Sequence, residues 1–323
     1  MKIALLDDYQ QVALQSADWR SLDGAQVDSF AEHIADRAEL VRRLQPYEVI
    51  VAMRERTPFP AAVIDALPNL KLLVSTGARN PSIDSAACER RGIVLCGAVG
   101  ARSGSSSTAE VAWALILALH KRIIQGHTAL QAGAWQTVIT ESLAGKVLGV
   151  VGLGRLGQYA ARAGQAFGME VIAWSPNLTD ERAAAASVRR VSKEALFSES
   201  DVVSLHLVSS ASTRGIVGER EIGAMKRSAY LINTSRGPLI DETALMNALQ
   251  SRSIAGAGLD VFWVEPLPKD HALRRMDNVV LSPHVGYVTD DNLATFYQNA
   301  LKNIKAWRAG ETLPPFGGRS SHA

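Results

Sequence analysis

The sequence predicts an α/β protein with two domains, each built around a doubly wound parallel sheet. Short apolar segments alternate with longer amphipathic segments, which is the pattern of β–α–β units. This alternation stops between Gly97 and Ser107 and resumes at Lys146, so the chain contains two separate series of elements. The length of 323 residues also suits two domains, because one domain typically needs roughly 150 residues.

The first series supplies a set of alternating strands and helices. Its short apolar runs predict strands at Lys2–Leu6, Glu48–Met53, Leu70–Ser75 and Ile93–Cys96. The amphipathic segments between these runs predict helices at Ala38–Leu44, Pro60–Leu67 and Ser82–Arg91. Pro60 suits the first turn of its helix, because that position needs no main-chain N–H donor.

The segment Gly97–Ser107 has no periodicity and is rich in glycine and serine, so we expect a linker there. A long helix is predicted to follow, from Thr108 to about Ile124. Thr108 suits the N-cap, and Glu110 places negative charge in the first turn. Apolar residues cover most of the circumference of this helix, which predicts that it is buried on several sides.

A second series begins at Lys146. Its apolar runs predict strands at Val147–Val151, Glu170–Trp174, Val202–His206, Tyr230–Asn233, Gly256–Asp260 and Val279–Leu281. Helices are predicted to start near Arg155, Lys193, Gly218 and Asp241. A last amphipathic helix, Asp290–Arg308, is predicted to pack back on the first domain and to make it discontinuous. We therefore expect one domain at 1–103 and 286–323 and another at 104–285.

The composition excludes several classes of protein. With 47% hydrophobic and 20% charged residues, the chain is not expected to be disordered. The formal net charge of +2 gives no reason to expect a nucleic-acid partner. The longest apolar run, Val111–Leu119, has about half the length of a membrane span, so no membrane association is expected. Cys88 and Cys96 form neither a disulfide framework nor a metal-ligand pattern, which favours a reducing cytoplasm and no metal.

A glycine-rich turn stands near the start of the second series. Gly152, Gly154 and Gly157 have the spacing G-x-G-x-x-G, an apolar strand precedes them, and an alanine-rich helical segment follows. In such a turn the first glycine permits the tight bend, the second lets the backbone approach a pyrophosphate, and the third allows close helix–strand packing. Free N–H groups at the helix start would bind the phosphates. The alternative is a glycine-rich turn that binds no ligand.

The end of the next strand bears on the choice between two nucleotides. An Asp or Glu at this place would bind the hydroxyls of the adenosine ribose. Ser175 holds the place here, and Glu170 lies too early in the strand for this role. The absence of a carboxylate removes repulsion toward a 2′-phosphate, and the nearest candidate cations are Arg155 and Arg182. NAD and NADP therefore both remain open.

Polar residues follow three predicted strands of the second series. Arg236 follows one strand, Asp260 and Glu265 follow the next, and His284 follows the last. Taken singly, each has a structural explanation, such as a surface ion pair, a turn cap or a solvated loop position. Together, after a dinucleotide turn, they supply what hydride chemistry on a 2-oxo acid needs. These needs are a cation for the carboxylate, a proton donor for the carbonyl oxygen, and a carboxylate that keeps this donor charged.

These motifs resemble those of the D-isomer-specific 2-hydroxyacid dehydrogenase family, which includes D-lactate, glyoxylate–hydroxypyruvate and D-3-phosphoglycerate dehydrogenases. The segments Thr108–Leu115 and Ser75–Asn80 also have counterparts in that family. The resemblance implies two Rossmann-like domains, a discontinuous flavodoxin-like substrate domain and an NAD(P)-binding domain. It agrees with a homodimer, which the apolar helices predicted at Thr108–Ile124 and Asp290–Arg308 suggest.

By this resemblance the chain transfers a hydride between NAD(P)H and the C2 carbonyl of a small 2-oxo acid, giving a D-2-hydroxy acid. Arg236 would bind the substrate carboxylate, His284 would act as acid and base, and Glu265 would support the protonated form of His284. The implied substrate-binding residues are Arg54, Thr76, Gly77, Arg236 and His284. The implied cofactor-binding residues are Thr108, Gly152, Gly154, Arg155, Leu156, Gly157, Ser175, His206, Thr213, Thr234, Ser235, Arg236, Asp260, His284 and Gly286.

The sequence departs from the family pattern in places, and two alternatives stay open. Arg79 is an additional cation in the first-domain loop, and would either favour a second acidic group on the substrate or serve as a surface residue. Tyr287 replaces a small residue and would narrow the substrate site. One alternative is a nucleotide-sensing interaction protein of the corepressor type on the same fold. The other is formate oxidation, against which Glu265 argues, because relatives with that activity carry Gln at this position.

Overall fold

The computed structural model describes residues 1–101 and 104–317, with only the backbone described at 104 and 105. Within these residues the strands are β1 (Lys2–Leu5), β2 (Gln26–Ser29), β3 (Val49–Ala52), β4 (Leu72–Thr76), β5 (Val94–Ala98), β6 (Val147–Val151), β7 (Glu170–Trp174), β8 (Arg189–Arg190), β9 (Val202–Leu205), β10 (Tyr230–Asn233), β11 (Gly256–Leu259) and β12 (Val279–Leu281). The helices are α1 (Ala13–Ser16), α2 (Arg37–Leu44), α3 (Ala61–Asp65), α4 (Ser85–Arg90), α5 (Gly104–His120), α6 (Ile123–Gln131), α7 (Arg155–Ala166), α8 (Asp180–Ala185), α9 (Lys193–Glu199), α10 (Glu219–Ala224), α11 (Glu242–Ser251) and α12 (Asp290–Arg308).

The chain divides into two compact units. The first contains Met1–Ser103 together with Thr289–Ala323, and the second contains Gly104–Val288. Each unit is built on one sheet, and the strands paired in both sheets are parallel. The predicted fold class, α/β with two Rossmann-like parallel-sheet domains, is therefore confirmed.

The first unit contains a five-stranded sheet in the order β2-β1-β3-β4-β5. Its central strands are buried on both faces, as is typical of a parallel sheet covered by helices. The C-terminal helix α12 packs on β4 and β5 and buries Phe296, Tyr297 and Ile304. Asn303 Nδ2 donates to the main-chain oxygen of Gly97 at 3.1 Å, which ties α12 to the end of β5. The apolar face of this helix is thus used inside the first unit.

The second unit contains a seven-stranded sheet in the order β12-β11-β10-β9-β6-β7-β8. Successive strand residues point to opposite faces, so Leu231 lies in one buried apolar cluster and Ile232 in another. The cluster around Leu231 includes side chains of α9, α10 and α11, and the cluster around Ile232 includes side chains of α5, α7 and α8. Helices therefore cover both faces and leave the loops at the strand ends accessible for a site.

The segment between the two predicted series is shorter than the sequence predicts. The linker predicted at Gly97–Ser107 is wrong at both ends, because Gly97 and Ala98 pair with β4 as part of β5, and α5 begins at Gly104. Residues 102 and 103 of the predicted linker lie outside the described residues. Main-chain pairing in a sheet is not visible in hydrophobic periodicity, which explains the difference.

The long helix predicted at Thr108–Ile124 also differs. Thr108 is not its N-cap but lies inside α5, which ends at His120. Arg122 then adopts a left-handed backbone conformation with φ of 47°, and a second helix, α6, begins at the next residue. The predicted burial on several sides is confirmed, because α5 packs against α7, β10, β11 and β12.

Most other predicted elements agree with the structure. β6, β7, β10, β12 and α12 match the predicted bounds residue for residue. The short elements β2, β8, α1, α6 and α8 were not predicted. β8 has two exposed residues and α6 buries none, so neither carries the apolar pattern from which an element is inferred.

Candidate active site

The site residues predicted in the second unit follow strands at the carboxyl edge of its sheet. Because the paired strands are parallel, their carboxyl ends meet at this one edge. Gly152 follows β6, Ser175 follows β7, and His206 follows β9. The remaining strands contribute Thr234, Ser235 and Arg236 after β10, Asp260 and Glu265 after β11, and His284 and Gly286 after β12.

Each glycine of the predicted dinucleotide turn has its own structural reason. Gly152 has φ of 100°, and a Cβ there would come within 2.8 Å of the main-chain oxygen of His206. A Cβ at Gly157 would overlap the main-chain oxygen of Gly152, so α7 can approach β6 this closely only with glycine. Gly154 is the N-cap of α7, and a Cβ there would meet no atom within 4 Å. Open space therefore lies beside the first turn of α7, which includes Arg155 and Leu156. An anion in this space could accept from the N–H groups of that turn.

Two buried polar atoms near this turn fit a polar ligand. Nδ1 of His206 and Oγ1 of Thr234 are buried and have no hydrogen-bond partner in the described part of the chain. The other ring nitrogen of His206 is bonded to Ser204 Oγ at 2.9 Å. Burial lowers the pKa of His206 to about 4, so this ring is neutral near pH 7. Buried polar atoms normally have partners, so the turn and these two atoms together fit a dinucleotide.

Two other hydroxyls predicted for the cofactor groove already have partners within the chain. Oγ1 of Thr213 and Oγ of Ser235 each donate to a main-chain oxygen at 2.8 Å. These hydroxyls hold the loops that follow β9 and β10. The structure therefore assigns them a loop-forming role, whatever the loops themselves bind.

The predicted ribose-binding place at the end of β7 has no carboxylate from that strand. Ser175 is partly buried directly after β7. Glu170 lies at the opposite end of the strand, where it forms an ion pair with Arg189 at 2.8 Å. The guanidinium of Arg182, in α8, donates at 3.2 Å to the main-chain oxygen of Asn177, which lies in the loop after Ser175. An arginine is thus attached to the loop that would contact the ribose.

His284 and Glu265 form a hydrogen-bonded pair. Nδ1 of His284 lies 2.5 Å from Oε2 of Glu265, and the other carboxylate oxygen accepts from the main-chain N–H of Phe262 at 2.8 Å. Both oxygens of Glu265 are therefore engaged, which fixes the carboxylate. Because Nδ1 of His284 faces Glu265, Nε2 is the ring nitrogen that remains for a substrate. The two side chains are 21% and 30% exposed, so solvent reaches the pair.

Asp260 lies beneath the loop that contains His284. Its carboxylate is fully buried and accepts from Ser282 Oγ at 2.6 Å and from the N–H groups of Val285 and Gly286 at 2.9 and 3.0 Å. Burial raises the pKa of Asp260, and these hydrogen bonds oppose the rise. Thr108 Oγ1 donates to the main-chain oxygen of Gly286 at 2.8 Å. The family resemblance implies that Asp260 and Thr108 bind the cofactor, and the structure shows that both hold this loop.

Arg236 follows β10 and is partly buried. Its Nη1 donates to the main-chain oxygen of Ser235 at 2.7 Å, and its own main-chain oxygen accepts from Asn233 Nδ2 at 2.9 Å. A Cβ at the next residue, Gly237, would overlap the backbone of Phe262. The loop that contains Arg236 therefore packs directly on the loop that leads to Glu265.

Three residues predicted to bind substrate lie together in the first unit. The main-chain N–H of Arg54 donates to Thr76 Oγ1 at 2.8 Å, and its Nη1 donates to the main-chain oxygen of Thr76 at 3.3 Å. Gly77 has φ of 140°, and a Cβ there would overlap the guanidinium of Arg54. Glycine at this position thus lets the guanidinium lie across the end of β4. Arg79 is exposed.

Sequence patterns did not single out Ser282 or Gly237 as site residues. Ser282 is the residue before the Pro-His pair, and Gly237 follows Arg236 directly. Their importance comes from contacts with Asp260 and Phe262, which lie 22 and 25 residues away in the chain. The sequence signals that could have indicated these two residues are a hydroxyl residue at a strand end and a glycine after a strand-end arginine. Neither pattern is specific to an active site.

The described residues contain neither a metal cluster nor a membrane span. Among residues 1–101 and 104–317, no group of three or more His, Cys, Asp or Glu side chains could hold a metal ion. No helix in the same ranges is long and apolar enough to cross a membrane. Cys88 and Cys96 are free thiols, and burial raises the pKa of each to about 11.

The fold and this edge of the sheet define a nucleotide-dependent α/β oxidoreductase. Residues 113–286 match the model of the D-isomer specific 2-hydroxyacid dehydrogenase NAD-binding domain. The chain is 32% identical over 282 residues to a glyoxylate reductase of Korarchaeum cryptofilum (strain OPF8), covering 85% of this chain and 84% of that protein. The protein belongs to the D-isomer-specific 2-hydroxyacid dehydrogenase family, as its motifs predicted.

Two further similarities cover almost the whole chain. A D-3-phosphoglycerate dehydrogenase of Archaeoglobus fulgidus is 35% identical over 291 residues, which is 90% of this chain but 54% of that protein. This chain therefore spans about half the length of that relative. The crystal structure of a phosphoglycerate oxidoreductase from Vibrio cholerae o395 superposes with a TM-score of 0.90 at 35% identity, covering 96% of this chain and 99% of that chain. The fold of that structure is thus shared over 96% of this chain.

Proposed function

We propose that the protein is an NAD(P)-dependent D-2-hydroxyacid dehydrogenase that works as a reductase of a small 2-oxo acid. The observation that carries this proposal is the 2.5 Å contact between His284 and Glu265 at the sheet edge that also carries Arg236 and the glycine turn. A histidine with one nitrogen held by a carboxylate is suited to proton transfer through the other nitrogen. The second unit would bind the nucleotide. Arg54, Thr76 and Gly77 of the first unit are the substrate-binding residues that the family resemblance implies.

The proposed reaction assigns one task to each side chain. Arg236 binds the carboxylate of the 2-oxo acid through its guanidinium, which suits that planar anion. Nε2 of His284 donates a proton to the carbonyl oxygen as the C–O double bond becomes a single bond. Glu265 stabilises the imidazolium before this transfer. A bound reduced nicotinamide supplies the hydride that C2 accepts, so one hydride and one proton convert the 2-oxo acid into the 2-hydroxy acid.

The cofactor would lie against the glycine turn. Gly152, Gly154 and Gly157 and the first N–H groups of α7 would hold the pyrophosphate, and the free polar atoms of His206 and Thr234 would face the groove. We propose that both NADH and NADPH are accepted. Ser175 adds no negative charge that would repel a 2′-phosphate. The guanidinium of Arg182, in α8, is hydrogen-bonded to the loop that follows Ser175.

The test is turnover of a panel of 2-oxo acids with NADH and NADPH, measured from the absorbance of the reduced nicotinamide. The panel contains glyoxylate, hydroxypyruvate, pyruvate and 3-phosphohydroxypyruvate, because relatives are named for related substrates. We expect reduction of at least one compound and loss of that turnover in His284→Ala, with cofactor binding retained. Absence of turnover with every pair, in a preparation that binds NADH or NADPH, would contradict the proposal.

We propose a homodimer, and the structure changes the residues that support it. The apolar face of α12 is buried within the first unit, so it is not available to a partner. Exposed apolar side chains instead lie in and after α6. This helix buries none of its residues, and in the segment after it Trp135 is 76% and Ile139 is 89% exposed. Large exposed apolar groups on one segment favour association. Trp135→Glu combined with Ile139→Glu should lower the mass found by light scattering from a dimer to a monomer.

The remaining proposals concern the location of the protein and its partners. A cytoplasmic location suits two buried thiols, Cys88 and Cys96, that form no disulfide. A small-molecule substrate without a nucleic-acid or membrane partner suits the net charge of +2. The interaction-protein alternative has no specific observation in its favour, because the named relatives are oxidoreductases. We therefore do not propose it.

A further inference from the structure

We propose that Ser282 and Thr108 are positioning residues that hold the segment 282–286, here called the His284 loop, and thereby fix His284 for proton transfer. This inference rests on the proposed acid–base role of His284. It concerns two hydroxyl groups that lie at opposite ends of the loop. Neither hydroxyl needs to touch the substrate for this role.

The His284 loop has a backbone that requires external support. It starts where Ser282 N–H donates to the main-chain oxygen of Leu259 at 2.8 Å, one step beyond the end of β12. His284 then adopts φ of 53°, in the left-handed region that is unfavourable for residues other than glycine. Within the turn, the main-chain N–H of His284 donates to the main-chain oxygen of Ser282 at 3.1 Å. Contacts from outside the loop must therefore stabilise this conformation.

Asp260 supplies the first of these contacts, and Ser282 orients it. One oxygen of Asp260 accepts from Ser282 Oγ and from the N–H of Val285, and the other accepts from the N–H of Gly286. The carboxylate is fully buried, so each of its three donors matters. Removing the Ser282 hydroxyl leaves one oxygen with a single donor and frees the carboxylate to rotate. The two N–H groups that follow His284 would then lose their fixed acceptor.

Thr108 supplies the second contact, from the side of α5. Its Oγ1 donates to the main-chain oxygen of Gly286 at 2.8 Å. A Cβ at Gly286 would lie 3.1 Å from Asp260 Oδ2 and 3.2 Å from Thr108 Cγ2, so this glycine is packed between the two side chains. The end of the loop is thus held by its N–H on one side and by its carbonyl on the other.

These contacts act on the same histidine that Glu265 holds by its ring. Glu265 fixes the ring of His284, and Asp260 fixes the two main-chain N–H groups that follow His284. Both carboxylates come from the segment that follows β11. Loosening the backbone would change the angle at which Nε2 meets the carbonyl oxygen. A displacement of about 1 Å in a catalytic group can lower a rate about 100-fold, so a smaller loosening should lower kcat measurably.

The test compares Ser282→Ala and Ser282→Thr in full steady-state kinetics. We expect Ser282→Ala to lower kcat about tenfold, with the dissociation constant of the cofactor changed less than twofold. Ser282→Thr retains the hydroxyl and should restore kcat to within about threefold of the parent. Ser200→Ala is the matched control, because Ser200 Oγ is buried in the same unit and donates at 2.6 Å to the main-chain oxygen of Leu196, away from the sheet edge.

A second pair of variants tests the other end of the loop. Thr108→Val removes the hydroxyl at nearly constant volume, and Thr108→Ser retains it. We expect Thr108→Val to lower kcat about tenfold and Thr108→Ser to remain near the parent. Because both hydroxyls act on one loop, the double variant Ser282→Ala with Thr108→Val should lose less than the product of the two single losses.

The outcomes separate this inference from the proposed function. If the parent turns over no 2-oxo acid, the proposed function fails and this inference fails with it. If the parent is active and Ser282→Ala keeps the parental kcat, the inference is overturned. It is also overturned if Ser200→Ala loses as much kcat as Ser282→Ala, or if Ser282→Thr fails to restore kcat while its unfolding midpoint equals that of the parent.

Discussion

The pair formed by His284 and Glu265 gives the sharpest prediction, which concerns Glu265→Gln. Glutamine has nearly the same shape, and its carbonyl oxygen can still accept from the N–H of Phe262. Its amide nitrogen would then face Nδ1 of His284, where the carboxylate now lies at 2.5 Å. An N–H donor at this place favours the neutral imidazole over the imidazolium, because the imidazolium has a proton on Nδ1. The variant should therefore be a weaker proton donor to the substrate.

The size of the effect follows from the geometry and exposure of the pair. A hydrogen bond to a charged group contributes about 1.5–3 kcal/mol. Because the two side chains are 21% and 30% exposed, solvent screening places the loss near the lower end, at about 1.5–2 kcal/mol. A difference of about 1.4 kcal/mol changes a rate tenfold. We therefore expect kcat/KM to fall about 10- to 30-fold.

The assay measures kcat/KM for 2-oxo acid reduction and for 2-hydroxy acid oxidation. The equilibrium constant of the reaction does not depend on the enzyme, so both directions lose the same factor when the variant binds the oxidised and reduced cofactors as the parent does. Glu242→Gln is a matched control, because Glu242 pairs with His271 at 3.0 Å outside the proposed site. Parental kcat/KM in Glu265→Gln, or an equal loss in Glu242→Gln, would refute the reasoning.

Three further changes test the cofactor groove. Gly157→Ala should lower the free energy of unfolding by about 1–3 kcal/mol and weaken cofactor binding, because its Cβ overlaps the oxygen of Gly152. Gly223→Ala is the control, because a Cβ at Gly223 meets nothing within 4 Å, and it should change neither the stability nor the cofactor affinity. Equal denaturation midpoints for the two variants would contradict this explanation. Ser175→Asp should weaken NADPH binding relative to NADH at least tenfold in a fluorescence titration, by repulsion of the 2′-phosphate. An unchanged ratio would show that Ser175 does not face the ribose. Because burial lowers the pKa of His206 to about 4, protonation favours the unfolded chain, and stability is lost as pH falls from about 6.5 toward 4. Urea titrations of the parent should show about 2 kcal/mol of this loss between pH 7 and pH 5, and a His206→Asn variant that shows the same loss would exclude His206 as its source.

Much of the fold was predictable because buried parallel strands leave a direct mark on the sequence. β6, β10 and β12 are short runs of apolar residues between polar loops, so their bounds could be inferred without a structure. β2 and β8 have exposed residues and are defined by main-chain pairing, which no side-chain pattern records. The same limit explains the error at Gly97 and Ala98, which join β5 through their backbone.

The site was predictable where a residue type is itself the requirement. Gly152 and Gly157 are needed because no Cβ fits at either position, so the glycine spacing alone indicated where the turn lies. Arg236, Glu265 and His284 could be proposed as site residues because each follows a strand of the second series and matches the family motifs. The support given by Ser282 and Thr108 could not be inferred, because it depends on contacts with residues 22 and 178 positions away.

Two histidines at the same edge of the sheet show why residue type is not sufficient for a role. His206 follows β9 and His284 follows β12. His206 is buried, has no carboxylate partner in the described residues, and is neutral near pH 7 because burial lowers its pKa to about 4. His284 is partly exposed and is held by Glu265 at 2.5 Å. These surroundings support the proposed proton transfer by His284, and they make His206 a neutral hydrogen-bonding group near pH 7.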